Sequence, residues 1–204
     1  METIVDRVNG FVRKVPTWAV YIVFLVPVPW LLYQAQTGGL GVEPIKALEH
    51  ELGQIALQLL IIGLAITPLR RYVGLNFLKF RRAYGLLAFT YVSLHLLVWL
   101  VLDVGILSQI WADIIKRPYI TIGMAGFLCL LPLALTSNSW SVRKLGPKWR
   151  QLHKLTYLAV ILGGVHFIWL VKGFQLEPLI YMAVILGLLV LRLPKRRKRQ
   201  AVPG

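Results

Sequence analysis

Two histidines, His95 and His166, stand deep inside long apolar runs, AYGLLAFTYVSLHLLVWLVLD and LTYLAVILGGVHFIWLVK. An imidazole in hydrocarbon is costly to desolvate unless something pairs with it, so an ionisable group at that depth points to function. Two neutral imidazoles at one depth on neighbouring helices can put one nitrogen on each axial face of a b-type haem iron. Depth is the property that the spacing supplies. His95 lies 13 residues beyond Arg82, and His166 lies 13 beyond His153. At about 1.5 Å per residue, both then sit about 20 Å from the cytoplasmic edge of a core about 30 Å thick. The competing reading is a pair of buried histidines that each hydrogen-bond a helix carbonyl.

His153, at the inner start of the same run as His166, is the candidate for a second haem. Its partner at matching depth would be Arg82, with Arg81 beside it and no histidine nearby. Thirteen residues at 100° each also leave His153 and His166 about 140° apart on an ideal helix. A second site and a plain interfacial histidine beside the basic loop both stay open. His50, in EPIKALEHELGQ between Glu49 and Glu51, reads as a loop or helix-start residue on the outer face. It could cap a cofactor or meet an external partner. Arg81 and Arg82 could contact haem propionates or a flavin phosphate, which arginine binds bidentately; topology alone would also account for them. Met124 and Met182 read as packing. Cys129 is the only cysteine, and there is no Cys-x-x-Cys-His, so any haem is held non-covalently. The sequence has no Gly-x-Gly-x-x-Gly, Walker loop or zinc-ligand cluster, and so no nicotinamide domain.

The elements that must position these residues are membrane helices. Apolar residues make up 57% of the chain, and several stretches reach the ~20 residues that cross a bilayer core. Six spans are expected near 17–35, 51–69, 83–103, 118–136, 153–171 and 176–193, in a single domain over 1–204 that ends in a short basic tail at about 194–204. Pro27 and Pro29 should kink the first span, which lacks the small-residue site of a cleavable signal. The net charge of +15 is segregated: with a cytoplasmic N-terminus, 19 of 23 Lys and Arg fall inside and six of eight acids fall outside. That is the positive-inside pattern, so both termini are expected in the cytoplasm. The run KRRKR reads as an anchor at anionic lipid rather than a nucleic-acid site.

The blocks GGLGVEPIKALEHELGQIAL, ITPLRRY, RRAYGLLAFTYVSLHL, KRPYITIGM, LALTSNSWSVRKLGPKWRQLHKLTYL and HFIWLVK, in this order and spacing, carry a further message. Together they resemble the haem-binding membrane subunits of the bacterial periplasmic methionine sulfoxide reductase system, within the ferric-reductase-like transmembrane group. The resemblance implies a multi-pass inner-membrane electron carrier with haem b at His95, His153 and His166. It implies a periplasmic molybdopterin subunit as partner, where the substrate is reduced. FMN, and the quinone pool or a cytoplasmic flavin reductase as electron source, are implied by the resemblance alone. Larger ferric reductases place a histidine pair on each of two helices; here Arg82 stands where the inner partner would be. The chain also stops at Gly204 without their FAD/NADPH domain, so its reductant is expected from elsewhere. The alternatives are a stand-alone quinol or ferric reductase, or a transporter or structural subunit without redox cofactor. Against transport, no buried acid chain or inverted repeat is apparent.

Overall fold

A computed structural model of the chain describes residues 3–171 and 173–193. The basic tail expected at about 194–204, and Lys172, lie outside the described residues. The described residues form helices and connecting turns, with no strand among them. In chain order they are α1 (Ile4–Lys14), α2 (Thr17–Leu25), α3 (Pro27–Thr37), α4 (Pro44–Pro68), α5 (Arg81–Val98) and α6 (Leu107–Lys116). After these come α7 (Pro118–Leu135), α8 (Ser139–Leu145), α9 (Pro147–Leu152), α10 (Leu155–Leu170) and α11 (Leu176–Arg192).

Five stretches are long and apolar enough to cross a membrane: Thr17–Thr37, Pro44–Val73, Leu78–Val104, Pro118–Leu135 and Pro147–Leu170. The chain is a multi-pass membrane protein. The sixth expected span corresponds to α11, whose 17 residues make a helix about 25 Å long, a little under a bilayer core. The first span breaks at Val26, where Pro27 opens α3, as the two prolines predict. The fully buried Tyr91 donates its hydroxyl to the Phe24 carbonyl at 2.6 Å beside that break. Both α4 and α5 loosen into a π turn, Leu69–Val73 and Trp99–Val104, before stopping at Gly74 and Gly105. These glycines take φ of 84° and 65°, a region that side chains strongly disfavour.

Three expectations need correction. The second span begins at Pro44 rather than near 51, because a proline at the first helical position starts the helix two turns early. His50 therefore sits within α4 and not in a loop. The 104–117 connection is no simple loop, since α6 occupies most of it and presents Leu107, Trp111 and Ile115 as an exposed stripe at four-residue spacing. The fifth span is helical from Pro147, in two pieces that change over at His153 and Lys154.

The centre is a ring of four helices. α4 lies along α5, α5 meets α7, α7 lies along α10, and α10 closes back on α4. α5 and α10 are thus diagonal partners across the bundle. Small residues allow the close approaches, since a Cβ added at Gly126 of α7 would lie 3.6 Å from Leu162 Cβ of α10. α2 and α3 pack outside α5 and α4, and α11 covers α10 and α4. The outward surface carries Trp18, Ile22, Leu97, Leu128 and Leu158, all exposed, as a lipid-facing belt requires. At the N-terminus Thr3 caps α1, and its hydroxyl bond to the Asp6 carboxylate lowers the pKa of that acid.

With no water in the hydrocarbon, backbone groups freed by proline need internal partners. Pro68 has no N–H to offer the Leu64 carbonyl four residues back. Arg192 of α11 supplies the donor instead: its Nε bonds Leu64 O at 2.8 Å, and its terminal nitrogens reach Gly63 O and the Tyr157 hydroxyl at 3.2 Å. At the other end of α11, Gln54 of α4 donates to Glu177, and Gln58 donates to the Tyr181 hydroxyl at 2.7 Å. Arg192→Met should therefore destabilise the bundle by about 1–3 kcal/mol, the cost of a polar group left unpaired. In a Pro68→Ala background the loss should be smaller, because an alanine there restores the missing backbone donor. Thermal unfolding of the four variants in one detergent measures the coupling, and equal losses in both backgrounds would refute it.

Candidate functional site

A cavity of about 390 Å³ occupies one end of the four-helix ring. That volume lies within the range of small-molecule sites. Its walls are largely apolar, including Leu57, Leu60, Val92, Phe127 and Leu130. His95 enters from α5 and His166 from α10, the diagonal pair, and their ring centres stand 6.1 Å apart with planes at 85°.

Each ring is fixed in the same way from a neighbouring helix. His95 Nδ1 lies 2.8 Å from the Glu49 carbonyl of α4, and His166 Nδ1 lies 2.7 Å from the Tyr119 carbonyl of α7. A carbonyl only accepts, so both Nδ1 atoms carry the proton and both Nε2 lone pairs are left available. One helical turn beyond each carbonyl stands a glycine. A Cβ at Gly53 would come 3.0 Å from His95 Nδ1, and one at Gly123 would come 2.8 Å from His166 Nδ1. The glycines thus let each imidazole reach a carbonyl already engaged in its own helix. Gly53 and Gly123 escaped the sequence reading, where a helical glycine carries no mark. The repeated spacing Glu49-x-x-x-Gly53 and Tyr119-x-x-x-Gly123 is the signal that could have found them.

The geometry suits one metal ion held between two imidazoles. A metal–nitrogen bond of about 2.0 Å, plus about 1.2 Å from nitrogen to ring centre, separates two axial ring centres by about 6.3 Å. No group of three or more His, Cys, Asp or Glu among the described residues could hold a metal by itself. A metal here must bring its remaining ligands with it, as the iron of a tetrapyrrole does.

The other sequence candidates are placed elsewhere or at the edge. His50 is exposed at the mouth of the cavity, its ring 5.6 Å from Phe167. Met124 lines the cavity, and Met182 packs against Gly164. His153 does not line it. Its ring stacks on Trp149 at 3.8 Å, and its Nε2 lies 3.1 Å from Thr136 Oγ1. The Thr136 hydroxyl gives its single hydrogen to the Pro132 carbonyl at 2.6 Å, so Nε2 of His153 is the donor. His153 is thus the opposite tautomer from His95 and His166. Arg81 and Arg82 are exposed at the start of α5, at the far end from the cavity, with Arg81 within electrostatic range of His153. At the mouth, the Tyr119 hydroxyl beside Arg117 raises the pKa of that guanidinium further.

A family model described as ferric reductase like transmembrane component matches residues 49–164, a stretch that holds His95 and ends just short of His166. The chain is 48% identical over 187 residues to a Brucella anthropi protein named protein-methionine-sulfoxide reductase heme-binding subunit MsrQ, covering 91% of this chain and 85% of the relative. It is 49% identical over 193 residues to a protein of the same name from Agrobacterium fabrum, covering 91% and 90%. A third, from Brucella ovis, is 48% identical over 188 residues, covering 92% and 86%.

Alanine at Gly53 or Gly123 should force the imidazole off its carbonyl and cost about 1–3 kcal/mol of stability through overpacking. Alanine at Gly85 of α5, where an added Cβ meets nothing within 4 Å, should instead stabilise by up to about 1 kcal/mol. Unfolding midpoints of the three variants give the comparison. A loss at Gly85 equal to that at Gly123 would contradict the steric account.

Proposed function

The chain belongs to the ferric-reductase-like transmembrane family, among the heme-binding subunits of protein-methionine-sulfoxide reductase, and on that premise we propose that it is a b-type cytochrome passing electrons across the bacterial inner membrane to a periplasmic molybdopterin subunit. One observation supports this most directly: two imidazoles stand 6.1 Å apart across the bundle, with both Nδ1 atoms engaged by carbonyls. His95 and His166 are the residues that would hold the haem iron, each through Nε2. When bound there, haem supplies one-electron iron redox chemistry.

The chain's own contribution is to orient and to exclude water. The Glu49 and Tyr119 carbonyls hold each ring in one tautomer and make it a stronger donor, as outer partners of metal-bound histidines do. The apolar walls keep water from the centre. His153 would serve a second, inner haem only by giving up its Thr136 bond or by ligating through Nδ1. Arg81 and Arg82, away from the cavity, would serve such an inner group or a flavin phosphate. FMN, and a quinone or flavin-reductase donor, rest on the resemblance.

The topology in this reading has six spans, with α11 as the last and both termini in the cytoplasm, since 19 of 23 basic residues then lie inside. The cavity opens on the outer face. A periplasmic partner would dock around that mouth, near residues 36–50, 104–117 and 173–177, with exposed His50 at its edge.

Replacing either His95 or His166 with alanine should abolish most low-spin Soret absorbance while the protein still inserts. His153→Ala should leave the spectrum of the outer centre in place. A normal spectrum in the His95→Ala, His166→Ala double variant would exclude the assignment. Reduced protein should be reoxidised rapidly by the molybdopterin subunit when a methionine sulfoxide is present. Haem that stays reduced there, yet reoxidises with ferric chelates alone, would favour a stand-alone reductase. Reporter fusions at Gly204 and within α6 should lie on opposite sides of the membrane, and a shared side would exclude the six-span arrangement.

A further inference from the structure

Among the described residues, the charged side chains that line the cavity are Lys46, Glu49, Asp103 and Arg117. They come from the first turns of α4, the end of the π turn after α5, and the residue that caps α7. Charge is thereby confined to the outer rim, and the deeper wall is largely apolar, with the two imidazoles and the neutral Gln54 amide as its main polar groups. Lys46 pairs with Glu43 at 2.7 Å, and Arg117 pairs with Asp113 at 3.3 Å. Lys46 is largely exposed and Arg117 about half exposed, and ion pairs between neighbouring residues at such helix ends hold only weakly. Asp103 lies within electrostatic reach of both.

We propose that Lys46 and Arg117 are a carboxylate clamp, taking the two propionate groups of the macrocycle ligated by His95 and His166. This rests on the haem reading above and adds which edge of the group faces out. A carboxylate driven into the apolar wall would lose its hydration with no partner to replace it. At the rim it meets an ammonium and a guanidinium, the latter able to bind it with two parallel N–H donors. Arg81 and Arg82 do not line this cavity and cannot play the part for the outer centre. Asp103 sharpens the argument. Without the two bases, the charged group a dianion would meet at the rim is Asp103, of its own sign. The bases therefore select orientation as well as strength, because a macrocycle turned the other way would leave its carboxylates unpaired.

The test uses the full-length chain, produced haem-free and titrated in detergent with haem b or with its dimethyl ester, which lacks the carboxylate charges. Lys46→Gln and Arg117→Gln should each weaken haem b by about tenfold, the factor that about 1.4 kcal/mol represents. Neither should change affinity for the ester. Adding Asp103→Asn to the double variant should recover part of the loss. Lys46→Arg and Arg117→Lys keep the charge and should bind haem b nearly as the unaltered chain does. Lys144→Gln, on α8 away from the cavity, is the control and should change nothing. If haem b and its ester weaken alike, or neither weakens, the clamp is overturned. Failure of the haem reading itself shows separately, as absence of a low-spin spectrum when the unaltered chain is given either compound.

Discussion

A helix carbonyl has two lone pairs, and the helix uses only one. In hydrocarbon, where water cannot satisfy a stray donor, that second lone pair is the main acceptor a bundle owns. Much of this structure depends on it. The Glu49 and Tyr119 carbonyls take protons from His95 and His166 and thereby fix which nitrogen of each ring faces the cavity. The Gly63 carbonyl takes a donor from Arg192 in this way, beside the Leu64 carbonyl that Pro68 leaves without a helical donor, and together they hold α11 to α4. The Phe24 carbonyl takes the Tyr91 hydroxyl where the first span breaks. Each is a polar contact between helices in an environment where apolar contact distinguishes little between protein and lipid.

The four-helix ring turns those local contacts into a site. Each histidine is set by a helix beside its own: α4 serves α5, and α7 serves α10. The device is the same on both sides, a carbonyl with a glycine one turn further on. Because α5 and α10 are diagonal, the two rings meet across the bundle axis rather than along one interface. The cavity follows from this arrangement, since neighbouring helices close-pack while the diagonal pair need not.

Much of this could be read from the sequence, for identifiable reasons. The spans were visible because about 20 apolar residues have few uses outside a membrane. His95 and His166 were visible because an imidazole is conspicuous in such a run. The start of α4 was hidden, since Lys46, Glu49, His50 and Glu51 look like a solvated loop, and only Pro44 signals a helix. The short helix α6 was hidden because ten residues with mixed polarity do not announce a span. Gly53 and Gly123 were invisible as positioning residues, because their role is to be absent where an imidazole must pass. Arg192 read as one more basic residue at an inner helix end, whereas its shortest bond goes to a carbonyl freed by a proline 124 positions away. Relationships of that kind belong to the three-dimensional arrangement and leave no periodic trace.

The pairing of α4 with α5, and of α7 with α10, bears on how the molecule is made. Each pair is a helical hairpin nearly contiguous in sequence, and each contains one of the two facing histidines together with the carbonyl and glycine that orient it. As the chain emerges from the ribosome, the first hairpin can set His95 before the second exists. The second sets His166 from its own residues. Neither hairpin alone carries both facing imidazoles. The facing pair comes into being only when the two halves dock side by side in the bilayer, so it is complete only once the last central helix has arrived. A chain interrupted before α10 would display one correctly oriented imidazole with nothing opposite it.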